Sequence, residues 1–97
     1  MIIAEFSIIP MGTRTPSVSR YVRVALEELE GNREIKVKPG AMGTVIEAES
    51  LRDLLNAVER AHETVFNLGV KRVVTEIKID DRRDKIASIE KKIKALK

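Results

Sequence analysis

The chain has 97 residues, 43% hydrophobic and 34% charged, which suits one globular domain and speaks against disorder. It has no cysteine, which excludes a disulfide framework, a thiolate metal site and a cysteine nucleophile, and a reducing cytoplasm is the expected setting. The net charge of +3 is uneven: residues 1–81 carry 11 Lys and Arg against 13 Asp and Glu, whereas residues 82–97 carry 7 against 2.

In chain order, residues 2–9 form an apolar strand with Ile2, Ala4, Phe6 and Ile8 on one face and Glu5 and Ser7 interrupting the other. The Pro10-Met11-Gly12-Thr13 cluster is expected to stop it. Ser17, after Pro16, is the expected N-cap of a helix reaching Leu29, with Val18, Tyr21, Val22, Ala25, Leu26 and Leu29 at helical spacing and Gly31-Asn32 as its close. Residues 34–38 alternate charge with Ile35 and Val37, as a half-exposed edge strand does. A loop through Pro39, Gly40 and Gly43 leads into a third strand over residues 44–48.

Ser50, with Asp53 three positions on, caps a second helix running to about Leu68 and stopped by Gly69. Residues 72–80 are rich in β-branched side chains and read as the fourth strand. From about Asp84, Ile86, Ile89, Ile93 and Leu96 fall on one stripe of a terminal helix. The order βαββαβ predicts an α+β, ferredoxin-like sandwich over residues 1–97: a four-stranded antiparallel sheet, strands one and three adjacent, and an extra C-terminal helix.

Two helices cover one sheet face, which leaves Ile3, Ile9, Val45 and Val74 on the other and predicts self-association as a homodimer or homotetramer, with residues 84–97 packed on a sister copy. The basic tail suits a solvated helix end better than a nucleic-acid arm, for there are only three aromatics (Phe6, Tyr21, Phe66) to stack on bases. No apolar run approaches the ~20 residues of a membrane span, so no membrane partner is expected. Abundant Lys and Glu without Cys or Gln matches the bias of thermophile proteins.

Catalytic signals are thin. There is one histidine, no phosphate-binding loop and no cofactor motif, so neither an enzyme nor a cofactor is expected. Asp80, Asp81 and Asp84 alternate with Arg82, Arg83 and Lys85 and read as a salt-bridged turn rather than a metal site. His62 flanks the core stripe of helix two, either as a hydrogen-bonded boundary residue or as a polar group at a pocket mouth. Glu47, a carboxylate on a central strand, needs a partner: Lys or Arg across a subunit interface, or a cationic, amidine-like ligand.

Ser7-Ile8-Ile9-Pro10-Met11-Gly12 followed by Ser17-Val18-Ser19-Arg20-Tyr21-Val22 resembles the opening of the thiamine-binding, YkoF-like family. The resemblance continues through Met42-Gly43-Thr44-Val45-Ile46-Glu47 and Ala61-His62-Glu63, and ends on residues 72–82. It implies a homo-oligomer that binds thiamine or its hydroxymethylpyrimidine part without catalysis. The positions it implies as ligand-binding are Ser7, Pro10, Met42, Thr44, Glu47 and His62, with Tyr21 added as the wall from helix one. The alternative is a structural or regulatory homo-oligomer with no small-molecule ligand.

Overall fold

The structure is a computed structural model that describes residues 1–14 and 17–97. Its elements are β1 (Ile2–Met11), α1 (Ser19–Glu30), β2 (Ile35–Pro39), β3 (Thr44–Ala48), α2 (Leu51–Phe66), β4 (Arg72–Asp81) and α3 (Ile89–Lys94). The four strands form one antiparallel sheet in the order β2-β3-β1-β4, the expected ferredoxin-like arrangement with β1 and β3 at the centre. The register sorts side chains between two faces. Ile2, Ala4, Phe6 and Ile8 of β1 join Ile46, Ala48 and Ile35 beneath Ala25 and Leu29 of α1 and Leu54, Ala57, Val58, Ala61 and Val65 of α2. This core is aliphatic apart from Phe6, and Leu29, Ile46, Leu54 and Val65 are its largest fully buried members.

Several boundaries differ from the sequence reading. β1 runs through Pro10 to Met11 because β4 pairs with it along its whole length, from Ile2↔Asp81 to Met11↔Arg72. β3 has ended by then, opposite Phe6, so no ladder on that side requires the N–H that proline lacks. α1 starts at Ser19, two residues after the expected cap. Val18 occupies the cap position without a side-chain bond, and the Ser17 hydroxyl lies 3.2 Å from that of Ser19. Pro16, read as leading into this helix, lies outside the described residues. α2 begins as expected, the Ser50 hydroxyl accepting the Asp53 N–H at 3.1 Å, and ends two residues early at Phe66.

The largest correction concerns the tail. The helix expected from Asp84 is confined to Ile89–Lys94 and starts where the Ser88 hydroxyl accepts the Lys91 N–H at 3.1 Å, while residues 81–84 before it form two ion pairs, Arg82–Asp84 at 2.6 Å and Arg83–Asp81 at 2.9 Å. That salt-bridged turn reverses the chain and returns α3 to the open face of its own sheet, where Ile89 is buried. In this chain the helix expected on a sister copy thus covers part of its own exposed face. Ile9 and Val74, opposite each other at the far end of that face, stay 50% and 43% exposed.

Candidate ligand groove at the end of the third strand

β3 is half as long as β1, so the far half of β1 has no neighbour on that side. The loop 40–43 folds over the vacated edge and α1 passes above it. Together they enclose a groove of about 210 Å³ lined by Phe6, Ser7, Ile8, Ile9, Val22, Leu26 and residues 40–44. Two glycines shape it. A Cβ on Gly40 would lie 2.9 Å from the Gly43 carbonyl oxygen, and one on Gly43 would lie 3.2 Å from the Phe6 carbonyl oxygen. Neither obstacle is a movable side-chain end: a Cβ at position 40 would force the backbone to shift, and one at position 43 would press on the Phe6 carbonyl.

The groove gathers three of the seven candidates. Ser7 and Thr44 supply hydroxyls, and Met42 stands at the rim, 93% exposed. Its wall from α1 is Val22 and Leu26 rather than Tyr21, which packs against the core one residue away with the Arg20 guanidinium over its ring. Pro10 is buried on the helix face beyond the groove lining.

Glu47 and His62 are committed elsewhere. Glu47 is buried on the open face, where its Oε1 accepts the backbone N–H of Ile89 at 2.7 Å and its Oε2 lies 3.8 Å from Lys36 Nζ. The partner expected for it across a subunit interface is supplied within the chain. His62 Nδ1 lies 2.6 Å from the Thr75 hydroxyl, and its ring meets Phe66 edge-on at 5.3 Å, which is the boundary-residue arrangement.

One carboxylate absent from the candidates is placed to matter. Glu5 is exposed on the open face, and its side chain passes within 3.6 Å of where a Gly43 Cβ would stand, behind the groove loop. Its sequence signal was a charge on an apolar strand, the same signal that singled out Glu47. A second hollow of about 400 Å³ lies under α3, between Ile3, Val45, Ile89 and Ile93, rimmed by Glu5, Lys78, Asp80 and Lys92. None of the seven candidates lines it. No group of three or more His, Asp or Glu suited to a metal ion occurs among the described residues. No helix there is long and apolar enough to cross a membrane.

A family model described as "Thiamine-binding protein" matches residues 4–97. Among similar chains, the UPF0045 protein YqgV of Bacillus subtilis is 46% identical over 99 residues, covering 99% of this chain and 94% of its own. A UPF0045 protein of Methanothermobacter thermautotrophicus is 43% identical over 97 residues, covering 100% and 97%. The crystal structure of the hypothetical protein MJ1052 of Methanocaldococcus jannaschii superposes with a TM-score of 0.89 at 47% identity, covering 98% of this chain and 94% of that one. A Thermotoga maritima structure with 19% identity and a TM-score of 0.82, covering 99% and 98%, shares the fold.

Proposed function

Because this chain belongs to the thiamine-binding protein family, we propose that it is a cytoplasmic, non-catalytic binding protein for thiamine or its hydroxymethylpyrimidine part, working as a homo-oligomer. The observation that carries this reading is the groove at the end of β3. It brings Ser7 of β1 together with Met42 of the loop leading into β3 and Thr44 at the start of that strand, at one concave site under Val22 and Leu26 of α1. A volume of about 210 Å³ lies below the ~300–1,000 Å³ of sites for drug-sized ligands. It suits one pyrimidine ring better than the whole two-ring vitamin. Val22, Leu26 and Met42 offer apolar and polarizable contact to ring faces. Among the described residues the lining carries no titratable side chain, which favours holding a ligand over transforming it. Glu5, just behind the loop, is the carboxylate best placed for a thiazolium extending outward.

Self-association fits the same geometry. Ile9 lines the groove and also belongs to the apolar end of the open face with Val74 and Met11. A second copy seated there would shield these side chains and close one side of the groove.

Calorimetric titration with thiamine and with hydroxymethylpyrimidine tests the binding. The pyrimidine should release or absorb heat with the wild type, and Val22→Glu, at an exposed position on the groove wall, should remove that signal while leaving the circular dichroism spectrum unchanged. No heat from either ligand at millimolar concentration rejects the reading.

A further inference from the structure

The phase of hydrogen bonding along β1 follows from three independent observations. The Phe6 carbonyl oxygen lies 3.2 Å from the position a Gly43 Cβ would take, so this carbonyl points toward β3. Both peptide groups of one strand residue point the same way, and alternate residues point oppositely. The even-numbered residues of β1 therefore address the β3 side. Pro39 lies opposite Thr44 in β2, where a Thr44 whose N–H and C=O face β1 asks nothing of the missing proline N–H. Pro10, the even-numbered proline of β1, lies where β3 no longer runs.

One consequence concerns Ile8. It is paired with Thr75 on the β4 side, where the phase makes the pair a non-hydrogen-bonded one. On the other side the ladder stops at Phe6↔Thr44, so among the described residues no strand lies opposite Ile8. Its side chain belongs to the core and the residue also lines the groove, so by this phase it is the peptide edge of Ile8 that turns toward the groove. The Ile8 N–H and C=O thus form an adjacent donor and acceptor presented to the groove, flanked by Pro10, which offers a carbonyl and no N–H. A buried peptide edge of this kind favours whatever pairs with it.

We propose that the Ile8 peptide edge is the element that selects the ligand, and that it takes a flat heteroaromatic ring bearing a ring-nitrogen acceptor beside an exocyclic amino donor. The ring nitrogen accepts from the Ile8 N–H and the amino group donates to the Ile8 C=O, so the ligand continues the ladder that β3 abandons. Val22 and the Gly43 loop lie about this ring. The assignment rests on the groove being the ligand site and adds which edge of the ligand is read.

Amide-resolved NMR on the full-length protein separates the two claims. Without ligand, the Ile8 amide should exchange with solvent at least about tenfold faster than that of Phe6, whose N–H is in the ladder. Saturation with 4-amino-5-hydroxymethyl-2-methylpyrimidine should move the Ile8 amide downfield and protect it. The analogue lacking the 4-amino group should bind at least about tenfold more weakly, since one bond is lost and a buried carbonyl stays unpaired. If the pyrimidine moves the Val22, Met42 and Gly43 signals while Ile8 stays put, or if the deamino analogue binds equally well, the edge assignment is overturned and the site survives. If the pyrimidine perturbs no groove residue, both fall.

Discussion

The Glu47 carboxylate accepts the backbone N–H of Ile89 at 2.7 Å, tying the middle of the sheet to the first residue of α3 across 42 positions of chain. A carboxylate that is only 4% exposed must be paired, and a helix's first turn has N–H groups to offer. Lys92 Nζ to Asp80 at 2.6 Å adds a second, exposed fastening. Glu47→Ala should therefore cost roughly 1–3 kcal/mol and free α3. Hydrogen exchange checks this, with the Ile89 amide losing protection while the amides of Ile46 and Phe6 keep theirs. Glu47→Gln retains an acceptor and should cost less. Neither change should alter affinity for the pyrimidine, because Glu47 does not line the groove.

The loop glycines give a complementary prediction. Gly40→Ala places a Cβ against the Gly43 carbonyl and Gly43→Ala places one against the Phe6 carbonyl. The first forces the loop backbone to shift, at a cost of about 1–3 kcal/mol, and the second displaces the Phe6 carbonyl at the groove edge by a smaller amount. Calorimetry should show pyrimidine affinity reduced at least about tenfold in both variants. Gly69→Ala serves as the control. Its φ of +91° makes it comparably strained, but it lies outside the groove lining and should leave affinity unchanged.

The strand order was legible because the core-forming residues follow two clean periods: two along Ile2, Ala4, Phe6 and Ile8, and near 3.6 along Leu54, Val58, Ala61 and Val65. The β1 boundary was not. Pro10 reads locally as a stop, and only the shortness of β3 explains why it is tolerated. Glu47 was legible as an anomaly, but its partner is a backbone N–H, which every residue carries and which leaves no compositional trace. For the same reason the Ile8 edge could not be found from residue types. Val22 and Leu26 read as core because their helical spacing matches that of Ala25 and Leu29, and a one-residue rotation about the helix separates a groove wall from a core contact.

The turn before α3 should respond to acid and salt. The Arg83 guanidinium, hydrogen-bonded to Asp81, holds that carboxyl below its ordinary value, and Arg82 does the same to Asp84. A carboxylate depressed in the folded state contributes stability above its unfolded value and loses that contribution as pH falls through the folded value. NMR titration of the side-chain carboxyls should show Asp81 and Asp84 protonating below the ordinary range. Arg82→Ala should return Asp84, and not Asp81, to that range. Both pairs are exposed, so high salt should shrink the shifts.

Association through the open face predicts a concentration-dependent assembly. Ile9→Lys places a charge at the centre of the uncovered pair with Val74. It should convert the assembly to monomers in sedimentation velocity without lowering the melting temperature of the monomer fold. A wild type that sediments as a monomer at high concentration removes this part of the account.

A crystal structure with hydroxymethylpyrimidine bound tests the central claim most directly. The ring should sit at the end of β3 between Val22 and the Gly43 loop, its amino group toward the Ile8 carbonyl and its adjacent ring nitrogen toward the Ile8 N–H. A ring found instead under α3, among Ile3, Val45 and Ile93, would contradict it.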